Sequence, residues 1–320
     1  MNLRQYEIVF FFSKLALLFV CLTPWLAPVS FSQSAPQSPR EATTSDVREA
    51  AQHGDSGAQY RSAKAILGHH PGADDVQFAL KLLHNSVAQG NPSAEFYLGY
   101  LYEHGQFVAQ DYALAFENYQ AAAQVHYPPA ENNLGVLYLG GHGVAKDATK
   151  AFTWYLASAQ HGDPVGQINL ANLYYSGSGT SRNYGEAVRW LRASADAGLA
   201  EAQNSLAYFY FSGVVVQRDY AEAARLARLA AQQGLPGAET SLAYLYEQGQ
   251  GVPLDYVSAY AWYSRAMDAG NQAAADRRKL LAQVMTRKQL DEANVRTSAV
   301  ASQSREQSSP HATPFSLVDH

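Results

Sequence analysis

Apolar and polar positions recur along most of this chain with a period of 36 residues. Leu98, Leu134, Leu170, Leu206 and Leu242 share one register position, and Tyr102, Tyr138, Tyr174, Tyr210 and Tyr246 stand four residues further on. A spacing of four puts each pair on one helix face. Directly after each Leu comes Gly99, Gly135, Ala171, Ala207 or Ala243, small enough to let a neighbouring helix approach. The pattern predicts a first helix, A, that ends in glycine-containing loops at Gly105, Gly141, Gly177, Gly213 and Gly249, where a left-handed residue costs little. Asp111, Asp147, Asn183, Asp219 and Asp255 then offer capping side chains to a second helix, B, with Asp75 in that place in the first unit. Helix B carries Ala115, Ala151, Ala187, Ala223 and Ala259, and three residues on Trp154, Trp190, Leu226 or Trp262, so that small and large groups interlock.

Gly54, Gly90, Gly162, Gly198, Gly234 and Gly270 close successive units, and His126 holds the one place in the series without a glycine. The units run 55–90, 91–126, 127–162, 163–198, 199–234 and 235–270. A two-helix unit has more apolar surface than it can cover alone, so units must stack and share a core. The expected fold class is therefore all-α, a superhelical solenoid of stacked helix pairs.

The run Leu134-Gly135-Val136-Leu137-Tyr138, followed by Gly141-His142-Gly143-Val144, Asp147, Ala151-Phe152-Thr153-Trp154-Tyr155 and Ala159-Gln160-His161-Gly162, resembles the Sel-1-like repeat, a relative of the tetratricopeptide repeat. The resemblance covers Asp55 to Gly270 and implies a right-handed α-solenoid that serves as an adaptor or scaffold, often exported in bacteria. The first unit departs from the pattern, with His69 and Pro71 where loop glycines belong, which suits a terminal cap. Some secreted, cysteine-rich members of the family are linked to β-lactam binding or hydrolysis. Their paired cysteines are missing from these repeats, so the resemblance does not extend to that activity.

Outside the repeats the pattern changes. Arg4 and Lys14 precede an apolar run from Leu15 to Leu22, and small residues follow Pro24. Residues 1–32 are read as a signal peptide, with an uncleaved amino-terminal anchor in the inner membrane as the alternative. Cys21, the only cysteine, falls inside this segment. Residues 33–45 read as a flexible linker and 46–295 as the solenoid, closed by capping helices over 271–295 that include a Thr286-x-x-Gln289 capping box. Residues 296–320, rich in Ser and Gln, read as a disordered tail. The expected location is periplasmic or secreted, with membrane contact only if the leader is retained.

Composition narrows the function. With a net charge of -5 and no basic stripe, the chain lacks what phosphate binding needs, which excludes nucleic acid as a partner. The histidines show neither HExxH nor Cys/His spacing, and those near helix ends are read as helix-terminus contacts, so no metal and no cofactor is expected. The Gly-x-Gly loops follow helices and lack the remainder of a phosphate-binding motif. Neither G-x-S-x-G nor Ser-x-x-Lys occurs, and the repeated Asp residues are read as caps, so no catalytic residue is expected.

Projecting helix A at 100° per residue sets one stripe opposite the Leu and Tyr positions. It carries Phe96, Tyr100 and Glu103; Asn132, Val136 and Leu139; Ile168, Asn172 and Tyr175; Asn204, Tyr208 and Phe211; Thr240, Tyr244 and Glu247. In tetratricopeptide-like proteins this face lines a concave groove. Aromatics offer contact area at small rotamer cost and Asn pairs with peptide groups or sugar hydroxyls, whereas a merely solvated stripe would be charged. The expected function is a non-catalytic protein-interaction scaffold of the bacterial envelope that binds a peptide or protein in this groove. The alternative is a polysaccharide-binding or peptidoglycan-associated protein, including a β-lactam-binding or cell-wall enzyme. A competing account of the stripe is burial of its aromatics between neighbouring units.

Overall fold

A computed structural model describes residues 54–307. The leader at 1–32, the linker at 33–45 and the end of the tail past residue 307 lie outside the described residues. Among the described residues there are fourteen helices and no strand. They fall into two compact units, which meet in sequence between Asn183 and Tyr184.

The amino-terminal unit contains α1 (Ser56–Leu67), α2 (Ala73–Val87), α3 (Pro92–His104), α4 (Tyr112–Gln124), α5 (Pro128–Gly140), α6 (Ala148–Gln160) and α7 (Pro164–Ser176). Each helix packs on the next in the chain, and α5 also touches α7. Entry to an A helix is set by a proline in its first turn, where no amide hydrogen is needed, and by Asn91 or Asp163 accepting from backbone amides. Exit is set by Gly105, Gly141 and Gly177, all left-handed. Asp111 and Asp147 cap α4 and α6 through two backbone amides each. The first unit differs. Its loop has five residues, 68–72, against seven in 105–111, so α2 begins behind Gly72 and Asp75 sits inside the first turn instead of at the cap. There its charge still meets the positive end of the helix.

The core of this unit explains the small residue after each Leu. A β-carbon on Gly99 would lie 2.8 Å from the Tyr119 ring, and one on Gly135 would lie 2.6 Å from the Tyr155 ring. The backbone of helix A thus forms a seat for a tyrosine of helix B. Tyr119 is fully enclosed with Leu134, Leu137, Ala115 and Ala130.

The carboxy-terminal unit contains α8 (Tyr184–Asp196), α9 (Ala200–Ser212), α10 (Tyr220–Gln232), α11 (Pro236–Gln248), α12 (Tyr256–Asp268), α13 (Gln272–Ala282) and α14 (Arg287–Gln307). Asp219 and Asp255 cap α10 and α12, and Gly213 and Gly249 end α9 and α11 in the left-handed region. Gly251 leans on the start of α10, where a β-carbon would overlap the Tyr220 carbonyl. The stack is closed by α13 and α14, both packed on α12. The Thr286 amide donates to Gln289 Oε1 at 2.9 Å and the Gln289 amide to Thr286 Oγ1 at 3.3 Å, the reciprocal pair of a capping box. The last helix continues past residue 296, where the tail is read to begin, as far as Gln307. No Gly or Pro interrupts the chain between Arg287 and Gln307, so α14 runs through. Arg296 donates to Asp255 Oδ2 at 3.0 Å and to Ser258 Oγ at 2.6 Å.

Among the described residues no helix is long and apolar enough to cross a membrane.

Candidate partner-binding surface

The stripe on the A helices resolves into three rows, one for each of its register positions. The first row, Phe96, Asn132, Ile168, Asn204 and Thr240, is largely a seam between successive repeats. In the amino-terminal unit Asn132 and Ile168 are buried, and Asn169 Nδ2 donates to Asn132 Oδ1 at 2.8 Å. Phe96 packs on the rings of Tyr119 and Tyr127, at 5.6 and 5.5 Å between centroids. In the carboxy-terminal unit the Ser241 hydroxyl donates to Asn204 Oδ1 at 3.2 Å, and Asn271 Nδ2 donates to buried Thr240 at 3.1 Å.

The third row, Glu103, Leu139, Tyr175, Phe211 and Glu247, is partly structural as well. Glu103 accepts from the hydroxyl of Tyr119, and Glu247 from that of Tyr263 at 2.7 Å. Burial, then the adjacent carboxylate, pushes both phenols well above their ordinary value, so they stay neutral donors. Arg277 also reaches Glu247, at 3.4 Å. Leu139 and Tyr175 are half-buried.

The middle row is the most available. Val136 is exposed, and Tyr100, Asn172, Tyr208 and Tyr244 are half-buried. Tyr100 lies against Tyr97 and His104, the latter 4.0 Å away between centroids. The amide nitrogen of Asn172 is enclosed and has no hydrogen-bond partner among the described residues. Tyr244 meets Phe211 edge-on at 5.9 Å, with the Arg277 guanidinium 5.3 Å from its ring.

The rows converge on a recess in the carboxy-terminal unit between α9, α10 and α11. Asn204, Tyr208, Phe211 and Tyr244, all in the stripe, line it together with Ser241 and Leu245. Its floor is Ala207, Ala223 and Ala227, and its mouth is open to solvent. The floor is what the stripe alone does not reveal. Tyr119, Tyr155 and Tyr263 hold the helix B position that Ala227 holds here, and the first two sit over glycines of helix A. With alanine in that place the seat is left unfilled, and Phe211 and Tyr244 border the gap. The break in the column Tyr119, Tyr155, Leu191, Ala227, Tyr263 is the sequence signal for it.

Two helix-end histidines hydrogen-bond the carbonyl four residues back: His84 Nδ1 to Leu80 at 2.7 Å and His104 Nδ1 to Tyr100 at 2.9 Å. His161 departs from the helix-terminus reading, because its Nδ1 lies 2.7 Å from a carboxylate oxygen of Glu131, on the first helix of the same repeat.

With this geometry in place, comparison with known proteins is informative. The model of the Sel1 repeat family matches five times, over 92–125, 128–163, 164–199, 200–235 and 236–271. Among solved structures, one similar chain is a protective antigen of uropathogenic Escherichia coli described as displaying an SLR fold, 29% identical with a TM-score of 0.69. The match covers 83% of this chain and 57% of that one, so this chain spans little more than half of that protein's length. Another is a Sel1 repeat protein from Oxalobacter formigenes, 28% identical with a TM-score of 0.62, matched over 73% of this chain and 96% of that one. No curated protein sequence matches significantly.

Proposed function

The chain belongs to the Sel1 repeat family, whose members are generally protein-interaction scaffolds, and from that premise we propose that it is a non-catalytic scaffold that anchors a partner protein on its A-helix stripe. The observation that carries the proposal is the recess over Ala227. It is framed by four stripe residues, apolar at its floor and edged by Asn204 and Ser241. An apolar side chain from an extended partner segment fills the floor, while amide and hydroxyl groups meet its backbone. Protein is preferred over polysaccharide because the floor is three alanines, which suit an apolar side chain and offer nothing to a sugar hydroxyl. The leader read at 1–32 would deliver the scaffold to the periplasm or the exterior, a location in keeping with a relative described as a protective antigen.

The test compares wild type with Tyr208→Ala plus Tyr244→Ala, and with Ala227→Tyr. The last fills the recess, and Tyr263 packed with Ala243 shows that helix B accepts this ring beside an alanine. The partner is identified by cross-linking in envelope extract and then titrated against each purified variant. Both are expected to weaken binding by roughly thirtyfold, as loss of an anchor does, with helical content unchanged. Unchanged affinity in a well-folded Ala227→Tyr variant would reject the recess as the anchor.

A further inference from the structure

We propose that His126, Glu131 and His161, in the amino-terminal unit, form a binding site for a divalent transition-metal ion, with Zn²⁺ the ion the donors suit best. Among the described residues this is the one group of three His, Cys, Asp or Glu side chains whose ligand atoms all lie within 4.8 Å of one another. His126 stands in the turn between α4 and α5, Glu131 in the first turn of α5, and His161 caps the end of α6. His126 Nδ1 lies 3.6 Å from Glu131 Oε1 and His161 Nδ1 lies 2.7 Å from Glu131 Oε2. The two rings are 4.9 Å apart, so both nitrogens converge on one carboxylate.

The repeat provides its own controls. At the positions of Glu131 and His161, thirty residues apart, two other repeats carry a neutral pair: Gln89 donates to Gln59 and Gln233 donates to Gln203, each at 2.9 Å. A polar plug at this place therefore needs no charge. Here, as at Glu95 and Glu239, a buried carboxylate takes the place of the amide, with a side chain only 1% exposed. Burying it is costly unless a cation or strong donors compensate, as Arg265 does for Glu239 at 2.8 Å. His126 is one departure from the repeat. The equivalent residues Gly54, Gly90, Gly162, Gly198, Gly234 and Gly270 all have positive φ, and His126 adopts φ 60° in the same place. A side chain in that region is strained, and strain of this kind collects at functional sites. His161 is the other departure, since no other unit over 55–270 has a histidine at that position, so two histidines foreign to the repeat meet on one buried carboxylate.

Two imidazoles and one carboxylate are a common zinc donor set. Ligand bonds of about 2.0–2.1 Å around a tetrahedral ion separate neighbouring donors by roughly 3.3 Å, between the two distances found here. The carboxylate closes the site from within, while His126 is 73% and His161 37% exposed, so the remaining position opens to water. Binding through Nδ1 uses the neutral imidazole with its proton on Nε2, so metal and protons compete for the site.

The test is zinc binding by the purified, chelator-treated full chain, read by titration against a chromogenic zinc indicator, with Co²⁺ absorption bands reporting the ligand field. Wild type is expected to bind one equivalent tightly. His126→Gly restores the residue found in every other repeat and should fold at least as well, yet bind about tenfold or more weakly. The double variant Glu131→Gln with His161→Gln, built as the neutral pair seen elsewhere in the chain, should fold and lose the site. Wild type that takes up no equivalent of zinc, or takes it up as tightly as these folded variants do, overturns the proposal.

Discussion

At the scale of single residues, the chain shows how a repeat tunes one position against another. Where helix B carries Tyr119 or Tyr155, helix A offers a glycine seat, and where it carries Ala227 the seat stands open. Gly135→Ala should therefore push on the Tyr155 ring, which is itself buried and cannot swing away. The expected cost is about 1–3 kcal/mol, measured by urea unfolding, and Gly135→Ala combined with Tyr155→Leu should recover part of it. A Gly135→Ala protein as stable as wild type would mean that the seat is looser than its geometry. The small residue after each Leu was legible from the repeat alone. Which atoms fill the space above it was not, because that partner comes from the other helix of the pair.

At the scale of elements, the caps follow local rules and the ends of the stack do not. Asp111, Asp147, Asp219 and Asp255 accept from the amides that open their helices, as residue type and position predict. Asp255 has further partners in Ser258 and Arg296. Burial alone would raise its carboxyl, but hydrogen bonds from Ser258 and Arg296 outweigh that and hold it below the ordinary Asp value. A depressed acid stabilises the fold above its unfolded value, and the contribution vanishes as pH falls through the folded value. Arg296→Ala should thus shift acid unfolding of the carboxy-terminal unit to higher pH, followed by circular dichroism across the acid range. The loss at neutral pH is about 1 kcal/mol or less, since both groups are more than a third exposed or nearly so. An unmoved acid limb would show that Arg296 does not hold α14 to α12. Composition after residue 296 does not mark this element, whereas α14 packs on α12 and Arg296 reaches Asp255.

At the scale of the molecule, each compact unit gains stability from contacts between successive helices, so damage should spread to neighbours and then fade. Leu134 is fully enclosed in the core shared by α4 and α5. Leu134→Ala should cost about 2–5 kcal/mol. Hydrogen exchange should then quicken most in α4 and α5, less in α3 and α6, and little in α1 and α2. Equal acceleration throughout the amino-terminal unit would show that it unfolds as one block instead of repeat by repeat.

The amino-acid sequence by itself determined the helical class, the 36-residue unit, the turn glycines and the caps. These depend on contacts within about one helical turn, or on a pattern that five copies repeat in register. Only the tertiary structure decided which face of the A helices is seam and which is open, that Ala227 leaves a recess, and that His126 and His161 share the carboxylate of Glu131. Those features join side chains from different helices and the turns between them, where no local spacing rule acts and side-chain volume and direction choose the partner.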